Sequence, residues 1–415
     1  MSYRNKNIKV VLVSPSQKFL MSPLASEPLG LMYIEGVLVQ MGITVEMVDM
    51  TIDAVLPQAD IYGFYASTIH IKQVIKYAQQ VSPSYTILGG PHASALPKES
   101  LNSFDAVIVG PGETAIKNVI DDYCSTRSGG VFYADHSDIN NIPIPPRNIL
   151  NRIPYDVCNM GTRSSSIITS RGCPYKCSFC ASNTIWGRKV QFRSIANVVK
   201  EINYLKNEFG INHFKFVDDI FTLNKSRFKD FADILSQLDI SWTCNTRVDA
   251  ITDEVLNQLI KSHCSTVDLG VESVSDITLK KIQKNQTVEM AKLAIKKIKS
   301  YGIKVKLYLI YGLPFETKSI VQQTMDFIFE TKPDYVSLFT LVPYPGTDIW
   351  LNPKKYNISQ IDVDFGRYQH SVGNIDEELD WLPNMEYFDR TKEQLRSERN
   401  KLKQFVLKWN RHELT

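Results

Sequence analysis

The sequence predicts an α/β chain: a doubly wound parallel sheet, then a partial or complete α/β barrel, then a small helical tail. Three observations carry this. Apolar, β-branched runs alternate with helix-period segments over roughly the first 125 residues, the pattern of βαβ units in a sheet covered on both faces. A stretch rich in proline and asparagine, HSDINNIPIPPRNILNRIPYD, then breaks every period. Alternation resumes beyond it for about 180 residues and gives six further strand and helix repeats.

In order, strands are expected at Ile8 to Val13, Thr44 to Val48, Ile61 to Ala66, Tyr85 to Leu88 and Ala106 to Val109, with helices such as Gly30 to Met41 and IKQVIKYAQQ between them. The second series is expected at Ser166 to Thr169, Phe214 to Val217, Trp242 to Asn245, Val267 to Gly270, Val305 to Ile310 and Tyr335 to Phe339. A charged helix near Arg390 to Trp409 ends the chain. The expected units are residues 1–135, a linker 136–163, a barrel 164–348 and a lid or packing region 349–415. Neither internal repeats nor low-complexity tracts are visible.

Composition narrows the classes. A chain of 415 residues with 43% hydrophobic residues can bury its own cores without cross-links. Its seven cysteines fit a reducing, cytoplasmic setting better than a disulfide framework. The apolar run near the N-terminus is about four residues, short of a signal peptide, and nothing approaches the roughly 18 apolar residues of a membrane span. With 47 basic and 44 acidic residues, a net charge of +3 argues against nucleic acid and leaves a small-molecule substrate.

Three cysteines stand apart. Cys173, Cys177 and Cys180 form CxxxCxxC directly after the first barrel strand, and parallel barrels place their chemistry at the C-terminal strand ends. Thiolates suit zinc or iron–sulfur centres, but structural zinc takes four protein ligands and no fourth cysteine or histidine lies near. A four-iron cluster held by three thiolates leaves one iron open to substrate or cofactor. The motif, with Phe179 just before the last cysteine, resembles the radical S-adenosylmethionine (SAM) superfamily.

That resemblance extends through later strand ends and implies a partial (β/α)6 barrel, a 4Fe-4S cluster and SAM as cofactors. FVDDIF brings Asp218 and Asp219 to the place of groups near the SAM amino end; helix N-capping is the alternative for both. NTRVD offers Arg247 as a catalytic or SAM-carboxylate partner, with a surface ion pair as the alternative. LGVESVS resembles the family's Gly-x-Glu-Ser segment, so Glu272 and Ser273 are expected at the ribose or amino-acid part of SAM. YLIYGLPFET resembles the adenine-side strand, with Ile310 and Gly312 letting backbone approach the base and Glu316 orienting the loop. Phe315 stands where that loop usually has glycine. PYPGT, residues 343–347, reads as a rigid turn.

The first unit carries ASTIH, LGGPHAS and VGPGET at its strand ends, loops whose small residues allow close backbone approach. They resemble the cobalamin-binding domains fused to radical SAM barrels. The resemblance implies that Ser67, Thr68, Gly89, Gly90, Pro91, His92, Gly110 and Glu113 line a bound cobalamin. The Asp-x-His-x-x-Gly stretch of histidine-ligated cobalamin enzymes is absent from the first loop, so His92 is expected to pack rather than ligate cobalt. A scaffold that has lost its cofactor is the alternative, and the sequence lacks the Gly-x-Gly-x-x-Gly of a dinucleotide site.

The implied reaction is methylation of an unactivated carbon through a 5'-deoxyadenosyl radical and methylcobalamin, fed by an external one-electron reductant such as flavodoxin or ferredoxin. A rearrangement, oxidation or cyclisation without methyl transfer is the rival, and a cofactor-carrying sensor is the non-enzymatic one. A methylthiotransferase fits less well, because only Cys124 and Cys158 precede the motif. Arg188 and Arg193 are candidates for an anionic group or for ion pairing. Trp186 and Tyr175 either wall the site or pack, while Tyr368, Trp381 and Tyr387 in the tail are expected to pack.

Overall fold

A computed structural model describes residues 8–414 apart from 19, 21, 136–137, 159–160, 366–367 and 369–382. Trp381 lies outside the described residues. The first unit is a six-stranded parallel sheet of β1 (Lys9–Ser14), β2 (Thr44–Asp49), β3 (Ile61–Tyr65), β4 (Tyr85–Gly89), β5 (Ala106–Val109) and β6 (Gly130–Tyr133). Its order is β2-β1-β3-β4-β5-β6, so the winding reverses between β1 and β3. Ligand crevices form at the carboxyl edge of such a reversal. The central strands are buried almost throughout, Val10, Val11 and Val13 of β1 being wholly inaccessible, as helices on both faces require. The sixth strand is additional to the five expected. It follows two left-handed glycines, Gly129 and Gly130, and a side chain at Gly129 would strike the Asp105 carbonyl at 2.3 Å.

The second unit is a parallel sheet of β7 (Ser165–Ile167), β8 (His213–Phe216), β9 (Ser241–Arg247), β10 (Cys264–Glu272), β11 (Lys304–Tyr311) and β12 (Tyr335–Thr340), hydrogen-bonded in sequence order with β7 and β12 at the edges. That is a partial barrel, open between its first and last strands. The helix Lys392–Asn410 packs beside the last strand, and the Asn410 side-chain amide donates to the Val336 carbonyl at 2.8 Å and accepts from the Val336 amide at 2.9 Å. An edge that would otherwise template pairing is thereby satisfied.

The segment between the sheets is not a solvated tether. Ile149, Leu150, Ile153 and Tyr155 are buried, and Arg147 is 0% exposed. The Arg147 guanidinium donates to Glu27 at 3.0 Å and to Glu201 at 2.6 Å; Glu201 also takes Arg193 at 2.6 Å, whose guanidinium reaches the Tyr33 hydroxyl at 3.1 Å. First domain, connector and barrel thus share one desolvated charge network. Such a network tolerates the removal of no single partner, because each leaves an uncompensated buried charge.

Candidate active site

The cysteine loop rises from β7 and is flanked by a two-residue ribbon, Ser170–Arg171 against Gln191–Phe192. Gly172 at its start has φ +95, and a side chain there would meet the Lys189 carbonyl at 2.5 Å, so the loop can leave the ribbon only as glycine. The three sulfurs feel one another. Burial pushes the Cys173 thiol up and the Cys180 thiol up to about 12, and the neighbouring thiols and Asp219 add to both shifts. Among the described residues no group of three His, Cys, Asp or Glu side chains is arranged to hold a single metal ion.

Around this loop the strand ends supply the polar groups named from the sequence. Asp218 is 2% exposed and accepts from the Thr169 amide at 2.7 Å and from the Thr169 and Ser170 hydroxyls at 2.6 and 2.7 Å. It ties β8 to the root of the cysteine loop. Asp219 points out at the mouth and accepts from Ser182 just beyond Cys180 at 2.6 Å. Neither caps the following helix; Asn224 does, accepting from the Arg227 amide. Arg247 lies over the Tyr175 ring at 3.8 Å inside the cysteine loop and is gripped by Asp249 through two 2.9 Å hydrogen bonds, with a third to the Lys284 carbonyl. The ion pair foreseen as an alternative exists, with the guanidinium buried, Arg247 being 4% exposed, and the Asp249 partner exposed at the surface.

Glu272 ends β10 at φ +69, a left-handed conformation costly for a side chain, and pairs with Lys284 at 2.7 Å. Gly270 makes room for that pair, since a side chain there would stand 2.7 Å from Glu272 Oε1. Ser273 donates to Glu316 at 2.9 Å, and the other Glu316 oxygen accepts from the Gly312 and Leu313 amides at 3.1 and 3.0 Å. Burial pushes the Glu316 carboxyl up to about 7. Phe315, in the usual place of glycine, takes φ +67, so the loop keeps the glycine-like turn at the expense of strain. A side chain at Gly312 would meet nothing within 4 Å. Between these elements lies a cavity of about 290 Å³ lined by Phe179, Glu272, Tyr308, Ile310, Phe339 and Tyr344 among others. Sequence reasoning gave no site role to Lys284 or Phe339, nor to Tyr308 and Tyr344, although the last two lie within YLIYGLPFET and PYPGT.

The glycine-rich edge of the first sheet faces this mouth. A side chain at Gly110 would lie 3.9 Å from the Ile185 carbonyl, in the helix Ser182–Trp186 that follows the cysteines. One at Gly346, in PYPGT, would strike Thr184 at 2.6 Å and approach Ala95 of the first domain at 3.7 Å. Gly90 has φ +104 and stands against the Ala66 carbonyl, whereas Gly89 opens onto free space. Pro91 begins the short helix after Gly90. Ser67 bonds the His70 ring at 2.7 Å. His92 is 1% exposed, lies 3.4 Å from the Thr68 hydroxyl and edge-on to Phe365, and is held neutral by burial, which lowers its pKa to about 4. Glu113 is taken by Arg171 at 2.5 Å, and that guanidinium also lies over the Trp186 ring at 4.5 Å. Glu113 therefore joins the two units, and His92, Tyr368 and Tyr387 are all buried.

Fold and site define an enzyme with a thiol-lined barrel mouth set against a second, glycine-lined cofactor crevice. The model of the Radical SAM superfamily matches residues 167–328, and that of the B12 binding domain matches residues 22–120. The chain is 30% identical over 382 residues to an uncharacterized methyltransferase of Pyrococcus horikoshii, covering 83% of each. It is 29% identical over 325 residues to the anaerobic magnesium-protoporphyrin IX monomethyl ester cyclase of Rubrivivax gelatinosus, covering 70% of this chain and 58% of that enzyme. Among solved structures, the radical S-adenosylmethionine methyltransferase TsrM from Kitasatospora setae, with cobalamin and a 4Fe-4S cluster bound, shares the fold at a TM-score of 0.64 and 18% identity, over 83% of this chain and 77% of that one. The chain belongs to the B12-binding radical SAM enzymes, whose cofactors are a 4Fe-4S cluster, SAM and cobalamin. Among the described residues no helix is long and apolar enough to cross a membrane.

Proposed function

We propose that this enzyme methylates an unactivated carbon of a small molecule. One observation carries the reading: the helix following Cys180 abuts the glycine edge of the first sheet at Gly110, which sets the two cofactor sites side by side. The residues present fit the groups. Three free, half-buried thiols on one loop suit a cluster with an open iron, and the open space at Gly89 and Gly312 suits close approach of a corrin and an adenine. Bound there, the cluster and SAM supply a carbon-centred radical and methylcobalamin supplies the methyl group.

The chain's own part is placement and exclusion of water. Cys173, Cys177 and Cys180 hold the cluster. Phe179, Ile310 and Gly312 flank the adenine, while Asp219, Glu272 and Ser273 face the polar end of SAM. Arg247 positions the loop through Tyr175, and Asp218 fixes its root. Glu316 holds the Gly312 and Leu313 amides inward, so the strand end presents its carbonyl side to the base. Ser67, Thr68, Gly89, Gly90 and Gly110 line the cobalamin crevice, and the largely apolar lining of the mouth cavity disfavours water at the reacting carbon. A flavodoxin- or ferredoxin-like reductant supplies the electron, and a cytoplasmic setting suits the free thiols.

The cyclase relative favours a second reading, radical chemistry without methyl transfer. Turnover with SAM labelled in its methyl group separates them. Label in the product supports methylation; deoxyadenosine formed without label transfer supports the rival.

A further inference from the structure

A cavity of about 670 Å³ occupies the N-terminal half of the barrel lumen, at the opposite end of the strands from the cysteine loop. Lys215, Lys304, Lys306 and Asp268 line it from β8, β11 and β10, and Leu20 and Leu407 border it from a first-domain loop and the C-terminal helix. Phe339 borders both this cavity and the one at the mouth, and with Tyr308, edge-on at 5.6 Å, it separates the two.

Three ammonium groups meet one carboxylate here. Asp268 is already occupied by Lys215 at 2.9 Å and by the Tyr308 hydroxyl at 2.7 Å. Among the described residues Lys306 makes no ion pair; its charge lies 5.6 Å above the Tyr308 ring, and burial pulls its pKa down, with Asp268, already shared with Lys215 and Tyr308, offsetting only part of that and Lys215 adding to it. An ammonium desolvated without an acid partner destabilises the fold, and a bound anion would relieve it. The volume lies within the range of small-molecule sites. We propose that the barrel lumen binds a small organic anion, a carboxylate or phosphate monoester on an apolar body, with its charge on Lys306.

Calorimetry on the full-length protein tests this with octanoate and hexyl phosphate as probes, against octanol and octylammonium as matched neutral and cationic controls. At least one anion binds saturably with a stoichiometry of one, and octanol binds about tenfold more weakly or worse. Lys306→Met weakens the anion by about tenfold or more, Lys306→Arg retains it, and Lys306→Met raises the melting temperature of the ligand-free protein. A lysine with only a structural role gives the reverse pair: a lower melting temperature and unchanged anion binding. The proposal is overturned if neither anion saturates at millimolar concentration, if octanol matches them, or if Lys306→Met binds as the parent does. Probe selectivity in the unmutated protein decides the matter even where a variant is too unstable to assay.

Discussion

The helices of the two units begin differently. In the barrel, side chains close the first turn at Ser194, Asn224, Thr252 and Thr287, each accepting from an amide inside its own helix. In the first domain, the helices that start at Leu29, Ile71, Pro91 and Gly112 have no side-chain hydrogen bond at their caps, which are Pro28, His70, Gly90 and Pro111. Amides left open at a strand-to-helix turn are donors for a ligand, whereas capped ones are spent. One crevice is therefore made by leaving side chains out. The other is made by side chains held in place by further side chains: Glu272 by Lys284, Arg247 by Asp249, Asp218 by Thr169 and Ser170.

The largest effect expected from breaking this contrast falls on the cysteines. Cys177→Ala should remove the cluster's visible absorbance and bring SAM cleavage to background while cobalamin is still retained; loss of both cofactors together would show that the two crevices do not act separately. Next comes the seam between them. Glu201→Gln leaves Arg147 and Arg193 with too little negative charge, and urea unfolding should show a loss of about 3–5 kcal/mol. An unchanged midpoint would mean the network carries no net stability.

Gly89→Val sharpens the first half of the comparison. A Cβ there meets no protein atom within 4 Å, so the fold should stand while cobalamin retention falls at least about tenfold. Gly90→Val is the control that disturbs the backbone itself, at φ +104 against the Ala66 carbonyl, and should also lower stability by about 1–3 kcal/mol. Cobalamin bound normally by Gly89→Val would remove the crevice from that edge.

The smallest effect is a pair of opposed pH slopes. His92 is held near 4 against an ordinary 6.5, so its contribution is present above 6.5 and is lost as pH falls toward 4. Glu316 is raised to about 7 from 4.5, so its contribution is present below 4.5 and is lost as pH rises through 7. In the parent the two largely offset each other. Relative to it, His92→Asn should lose stability as pH rises from about 4 to 6.5, and Glu316→Gln should lose it as pH falls from about 7 to 4.5, each by up to about 1 kcal/mol per pH unit. Slopes of the same sign in both variants would refute the assignment.

Most of the alternation was legible, because strands buried on both faces read as apolar runs whatever packs on them. The sixth strand was not: four residues behind Gly129, the first of them Gly130, carry no period of their own. The connector also misled. Its prolines exclude long helices, yet the residues between them include Arg147, which only the fold shows to be fully buried. The polar strand ends were found through motifs. Of their partners, Asp249 stood within NTRVD without being assigned, and Lys284, Arg171 and Ser182 were not found, since a partner from another loop or strand leaves no local pattern.

The chain's own order determined the cysteine triplet, the glycine-lined loops and the succession of βαβ units, all of which depend on neighbours a few residues apart. Tertiary structure alone decided which charges are paired, which of the named carboxylates remain open, and that the lumen holds a lysine without an acid. Those outcomes depend on distances between residues far apart in the chain, 160 positions between Tyr33 and Arg193 and 292 between Lys72 and Asp364. Burial sets the strength of every such pairing, and burial is a property of the packed whole.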